Sequence, residues 1–221
     1  MATRVRFALT LLLIDALCVL LVGAAVTLGT QLPHPNNHIL MPYPNCSLPC
    51  LLHITAGETR GTTARGALAM LADFPIDQTG AIWSFQLPDD QGNPINGVLI
   101  SGEGDTVEYL RLYTRRWQGL GVTLGDLMQA GRMHPTQVYR SCSGTLPVRM
   151  LLTFEGDPQV SFAAIIDQRV SPFAPVSLIS VSASDDYFPQ TLATVFGSGC
   201  YIPSAWRGFA SVWRYGAQPP F

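Results

Sequence analysis

The pattern of apolar and polar positions divides the chain into blocks. Residues 7–29 (FALTLLLIDALCVLLVGAAVTLG) are apolar almost throughout, and their one charge is Asp15. A run of this length crosses a hydrocarbon core of about 30 Å as a helix. Arg4 and Arg6 precede it, and no basic residue follows until Arg60. That bias places the N-terminus in the cytoplasm and the remainder outside. The length favours an uncleaved single-pass anchor, while Val22-Gly23-Ala24-Ala25 also suits the end of a cleaved signal peptide. Asp15 near the bilayer centre costs roughly 2.5–3.5 kcal/mol. Cys18 follows Leu17, with Asp15 three positions before it, which does not suit a lipidation signal.

Residues 30–45 (TQLPHPNNHILMPYPN) carry no periodicity, and their prolines and asparagines read as a stiff spacer. Beyond it, Ala64, Leu68 and Leu71 recur at helical spacing over 62–73, with Thr59 or Thr62 as the cap. Strands follow at 81–87, 97–101 and 106–113, the first two separated by the turn-rich Asp89-Asp90-Gln91-Gly92-Asn93-Pro94. The same order returns. Thr123 caps a short helix with Leu124, Leu127 and Met128 on one face, and strands follow at 137–142, 148–154, 160–166 and 176–181. In the tail, 185–197 reads as a helix, and Trp206, Phe209 and Trp213 are spaced for another apolar helix face.

These blocks predict an α+β chain: an N-terminal transmembrane helix and a tandem helix/antiparallel-sheet repeat ectodomain. The expected boundaries are 1–29 for the anchor (or signal peptide), 30–45 for the linker, 46–118 and 119–183 for the two repeats, and 184–221 for an aromatic segment tied back by a disulfide. About 190 residues outside the membrane are enough for one large domain or two small ones sharing a core.

Composition narrows the chemistry. All 13 basic residues are arginine, and the formal charge is −2. A chain without lysine has no P-loop lysine, no Schiff-base lysine and no Ser-x-x-Lys acylation site. The missing positive surface argues against nucleic acid as a partner. Removing Arg4, Arg6 and Asp15 with the first 29 residues leaves 11 basic and 14 acidic residues, a mildly acidic remainder.

Outside the apolar run stand Cys46, Cys50, Cys142 and Cys200, an even number suited to an oxidising compartment. Four cysteines allow three pairings. The favoured one joins Cys46 to Cys50 and Cys142 to Cys200, the second tying the tail to the body for roughly 2–4 kcal/mol. His34, His38 and His53 lie near Cys46 and Cys50, but the spacing matches no zinc pattern, so no metal or other cofactor is expected. Phe196-Gly197-Ser198-Gly199 only imitates a nucleophile elbow. Asp89-Asp90 and Asp185-Asp186 are adjacent pairs, which on a strand point to opposite faces. No catalytic residue is assigned.

The segment Leu48-Pro49-Cys50-Leu51-Leu52-His53-Ile54-Thr55-Ala56-Gly57-Glu58-Thr59 resembles one found in uncharacterised membrane-anchored envelope proteins of Chloroflexota-type bacteria. Their segment reads approximately Pro-Cys-Trp-x-Gly-Ile-x-Pro-Gly-x-Thr before a helix. Thr123 to Leu127, Pro135, Val138-Tyr139 and the Cys200-x-x-Pro203-x-x-Trp206 tail fit the same layout. This chain departs from it at Leu51-Leu52 and at His53, where that group carries glycine. The resemblance implies architecture and location. More distantly, the rhythm of helix, short turn and strands is similar to the SmpA/OmlA outer-membrane assembly lipoproteins and to the tandem β-lactamase inhibitor protein, which implies a protein-binding module.

The expectation is therefore a membrane-anchored, extracytoplasmic protein that acts by binding, in protein recognition or envelope assembly, with the membrane and an envelope protein as partners. The alternative is an envelope hydrolase with an unrecognised site. Alternation on the strand 106–113 turns Leu110 and Leu112 inward, leaving Tyr109, Arg111 and Tyr113 as the candidate binding surface, ahead of Trp83 and Phe85.

Overall fold

The computed structural model describes Leu17, Cys18, Leu20, Cys46 and residues 48–71, 77–89, 92–114, 119–131, 134–142, 147–154, 156, 158–166, 169–197, 199–210 and 212–215. The chain forms two compact units, Met1–Asn36 and Asn37–Phe221. In the first, Leu17, Cys18 and Leu20 are helical and exposed, and the rest of the run 7–29 lies outside the described residues, as does the linker 30–45. Among the described residues no helix is long and apolar enough to cross a membrane. A span needs about 20 continuous helical residues. The expected single-pass anchor, its membrane partner and its cell-membrane location are therefore corrected.

Among the described residues the second unit is built on one antiparallel sheet of nine strands. Helix α1 (Gly61–Leu71) precedes β1 (Asp77–Thr79), β2 (Ile82–Pro88), β3 (Pro94–Ser101) and β4 (Val107–Thr114). Helix α2 (Leu124–Gly131) precedes β5 (Pro135–Ser141), β6 (Val148–Phe154), β7 (Gln159–Ile166) and β8 (Val176–Ser182). A 3-10 turn (Asp185–Tyr187) then leads into α3 (Phe188–Phe196), β9 (Tyr201–Ala205) and a last 3-10 turn (Val212–Tyr215). The strand order is β1-β2-β3-β4-β8-β7-β6-β5-β9. The expected transmembrane helix with a tandem repeat is thus corrected to a single sheet. Its physical cause is the pairing of β4 with β8, Tyr109 opposite Ser182 through Tyr113 opposite Leu178. This pairing satisfies two edges that separate repeats would leave open.

Local sequence explains the helix starts. Thr123 and Asp126 cap α2 reciprocally: the Asp126 amide donates to the Thr123 hydroxyl, and the Thr123 amide donates to the Asp126 carboxylate at 3.0 Å. Helix α1 is capped from a distance, its Thr62 amide donating to the Asp105 carboxylate at 3.1 Å. Leu51 and Ile54 exchange two backbone hydrogen bonds of 2.9 Å around Leu52 and His53. Both central residues have positive φ, 56° and 62°. This is the primed hairpin turn that favours glycine.

One face of the sheet carries Trp83, Phe85, Leu99, Leu110, Leu112, Phe162 and Ile179, packed with Leu68 of α1 and Leu124 and Leu127 of α2 into the main core. The other face is partly covered by α3, whose Leu192, Val195 and Phe196 pack on Leu151, Ala163 and Leu178. Cys46 is bonded to Cys50 and Cys142 to Cys200, and the second bridge fastens β9 beside β5. The tail corrects one expectation, since residues 201–205 form a strand and Trp206 and Phe209 lie beyond it outside any helix. Trp206 packs against the main core and within 6.1 Å of the Tyr215 ring. Buried Arg140 holds that last turn by donating from Nε to the Tyr215 carbonyl at 2.6 Å.

Candidate functional site

The face beneath α3 is where polar side chains gather. Register places Tyr109, Arg111 and Tyr113 of β4 on it, in line with Ser182, Ser180 and Leu178 of β8. The row continues through Gln159, Ser161 and Ala163 of β7 and Thr153, Leu151 and Arg149 of β6. It ends in Gln137 and Tyr139 of β5.

Tyr109 is 1% exposed. Its hydroxyl shares a 2.9 Å hydrogen bond with that of Thr191 in α3, and its ring stacks on Tyr187 at 5.3 Å. Arg111 and Tyr113 are half-buried, and Arg111 donates through Nη1 to the Thr194 hydroxyl of α3. Alternation correctly assigned these residues to the face opposite the leucines, but the chain's own helix occupies that surface. The expected protein-binding and envelope-assembly role is corrected accordingly, together with its anchor. Trp83 and Phe85 are buried in the core on the opposite face.

On the other flank of α3 an open cleft of about 490 Å³ lies over strands β5, β6 and β7. Its sheet side is built from Gln137, Tyr139, Thr153 and Gln159, which share one face. Asp185 and Phe188 close it from the 3-10 turn and the first residue of α3, and Thr136, Phe154 and Gly156 form the remaining wall. Ser184 sets this turn, its hydroxyl accepting from the Asp186 amide. The Tyr139 ring is the pivot. It stands 5.2 Å from Phe188 and 5.9 Å from Tyr201, and its hydroxyl donates to Gln137 Oε1 at 2.6 Å. With that oxygen engaged, the Gln137 amide presents its NH₂ donors. Burial, followed by the neighbouring Tyr201 and Asp185, pushes the Tyr139 phenol above its ordinary value, so it remains a neutral donor at physiological pH.

The cleft combines a tilted aromatic pair with two planar amides, two hydroxyls and one carboxylate. Among its described lining residues none is cationic. Among the described residues no group of three or more His, Cys, Asp or Glu is placed to hold a metal ion. Sequence reasoning missed all of this cleft. Gln137, Thr153, Gln159, Asp185 and Phe188 form no motif, and the first three come from three different strands that only the pairing aligns on one face.

No protein-family model matches the chain, and neither a curated protein nor a solved structure proves similar to it. The functional reading therefore rests on the geometry of this chain.

Proposed function

We propose that the protein is a carbohydrate-binding module whose β5–β7 cleft takes a short neutral saccharide. The observation that carries the reading is the placement of Tyr139 and Phe188 beside Gln137, Gln159 and Asp185 in one open cleft. A pyranose has an apolar face of C–H groups, which packs on an aromatic ring, and an equatorial belt of hydroxyls. Amide and carboxylate side chains meet such hydroxyls in pairs, as acceptors and, for the amides, as donors too. A volume of about 490 Å³ is in the range of small-molecule sites and accommodates about two sugar rings. Phosphorylated ligands are disfavoured because no arginine lines the described cleft and Asp185 would repel them.

The test is saturation-transfer NMR and calorimetry against a panel of neutral di- and trisaccharides. At least one should bind saturably, with transfer to its C–H protons from an aromatic surface. Gln159→Ala should weaken it about tenfold, the usual consequence of losing one good hydrogen bond. Tyr139→Phe should weaken it as well, because Gln137 is then no longer oriented. A panel without one saturable ligand, or affinity unchanged in both variants, would overturn the proposal.

A further inference from the structure

The opposite flank of α3 holds a second set of polar groups, independent of the cleft. Across β2, β3 and β4 the register places Gln86 opposite Asn96, Asn96 opposite Tyr113, and Val98 opposite Arg111. Asn96 and Arg111 are therefore diagonal neighbours on one face, about 7–8 Å apart by the geometry of antiparallel pairs. Asn96 is 7% exposed. Its Oδ1 accepts from Gln86 Nε2 at 3.1 Å, while its Nδ2 is buried and has no hydrogen-bond partner among the described residues. Arg111 uses Nη1 on Thr194, but its Nε is also buried and, among the described residues, unpartnered. The guanidinium carbon lies 5.1 Å from the Tyr113 ring centroid and 5.9 Å from that of Tyr109. Among the described residues no carboxylate pairs with it.

Two orphaned donors on one face are informative together. A buried donor without an acceptor carries an unrecovered desolvation cost, and native proteins pair the great majority of such groups. Here one donor belongs to a cation held by two aromatic rings, which fix its plane without neutralising it. The missing counterpart must be negative, planar and able to offer two oxygens. A carboxylate meets these conditions. One oxygen takes Arg111 Nε–H in the side-on fork of the guanidinium, and the other takes Asn96 Nδ2–H. We infer that the β2–β4 face beside α3 is a carboxylate-binding site, with Arg111 and Asn96 as its two contacts. Both donors are shielded, so a ligand reaches them only when a flanking side chain turns aside. Gln86 flanks Asn96 on this face and is half-buried, so a rotamer change there opens the way while Tyr113 keeps its place against the guanidinium.

The carboxylate is either a small free acid or the C-terminus of a peptide, and the test separates the two. The side-chain resonances of Arg111 Nε–H and Asn96 NH₂ are followed while the protein is titrated with acetate, with acetamide, and with one tripeptide in free-acid and C-terminally amidated forms. Saturable shifts of both resonances are expected with acetate, and none with acetamide, which has the same shape without the charge. Tighter binding of the free-acid tripeptide than of acetate marks a peptide site, and the reverse order marks a small-acid site. Arg111→Lys keeps the charge but loses the fork, and should weaken binding at least tenfold. Asn96→Leu removes one contact and leaves only the half-buried Gln86 Nε2 without its acceptor, so it should fold and bind more weakly. Gln159→Ala, in the separate cleft, should leave acetate binding unchanged whether or not a saccharide binds there. An equal response to acetamide, a linear shift without saturation, or unchanged affinity in both Arg111→Lys and Asn96→Leu would overturn the inference.

Discussion

The two faces of the sheet follow the same alternation and are closed by different means. On the core face Phe85, Leu99, Leu110, Ile179, Phe162 and Leu152 succeed one another from strand to strand, and α1 and α2 add further aliphatic side chains. The layer itself is apolar, and hydrogen bonds enter only at the helix starts, from the Thr62 amide to the Asp105 carboxylate at 3.1 Å and from the Leu124 amide to the Ala174 carbonyl at 2.9 Å. On the opposite face α3 buries an aliphatic centre of Leu151, Ala163 and Leu178, flanked by polar rows. There the helix is attached through side-chain and carbonyl contacts: Thr191 to Tyr109, Thr194 to Arg111, and the Val195 carbonyl to Arg149 at 3.1 Å. Apolar contacts are non-directional and tolerant, whereas buried hydroxyls require their particular partner. A single helix also covers only the middle of a nine-stranded sheet. The flanks it leaves are the open cleft over β5–β7 and the shielded Arg111–Asn96 face.

The comparison can be broken first at the core face. Phe162 is fully buried and packs on Phe154 at 4.7 Å between centroids. Phe162→Ala should cost about 3–5 kcal/mol of unfolding free energy in urea denaturation. A loss below about 1 kcal/mol would mean that this layer is not the principal core. On the helix-covered face the sharper probe is Thr191→Val, which keeps the shape and removes the hydroxyl. It deprives the buried Tyr109 hydroxyl of its 2.9 Å partner and the Ser180 hydroxyl of a weaker one at 3.4 Å. The expected cost is about 1–3 kcal/mol. If Thr191→Val proves neutral, Leu192, Val195 and Phe196 hold α3 by packing alone, and the two faces are closed in the same way.

The sequence was most legible where alternation works by itself. Seven of the nine strands coincide with apolar alternation in the sequence, and Leu110 and Leu112 point to the core as the pattern requires. Alternation assigns a residue to a face and says nothing of what lies above that face. Tyr109 was therefore assigned to the right side and is nonetheless buried, because its cover, Thr191, comes 82 residues later. Strand β9 was missed for a related reason. Tyr201-Ile202-Pro203-Ser204-Ala205 is short and holds a proline, and it becomes a strand because the Cys142–Cys200 bridge sets it beside β5. The turn at Leu52-His53 has none of the usual Asn-Gly signal. The cleft was illegible because its residues come from five separate elements and the loop after β6, and it exists only once the sheet is assembled.

A smaller effect is expected from the ionisable contact at the start of α3. Tyr187 donates to the Glu108 carboxylate, and this hydrogen bond, then burial, then the charges of Glu108 and Asp186, push its phenol up to about 12. An unfolded tyrosine ionises near 10. Below pH 10 both states are protonated and the contribution to stability is complete. Between about pH 10 and 12 only the unfolded state ionises, so the contribution is lost as pH rises. Tyr187 is only half-buried, so screening by solvent holds the effect below about 1 kcal/mol. The stability difference between wild type and Tyr187→Phe, measured by denaturant unfolding at pH 9 and at pH 11.5, should shrink toward zero. A difference that stays constant would show that Glu108 does not bind the phenol, and would leave the hydroxyls of α3 as its only polar attachment to β4.

The smallest change in stability, and the most specific change in behaviour, is expected where the two faces meet at the β9 edge. The Cys142 amide donates to the Cys200 carbonyl at 3.0 Å, and the Trp206 amide to the Thr136 carbonyl at 3.2 Å. These contacts fix the alternation between β5 and β9. Arg140 with Ile202 and Val138 with Ser204 are the hydrogen-bonded pairs, so Tyr139 opposite Pro203 is a pair without ladder bonds. The Pro203 nitrogen therefore points away from β5, toward a side on which no described strand pairs. Among residues 201, 203 and 205, whose backbone groups face outward, the middle one has no N–H to offer an added strand. Tyr201 and Ile202 are exposed on opposite faces of the same edge, which would otherwise be a template for a second chain. Pro203→Val removes no ladder bond and should shift stability by less than about 0.5 kcal/mol. It restores the outward donor, so light scattering at rising concentration should show a larger mean mass than wild type. Equal masses at every concentration would mean that Pro203 does not guard the edge.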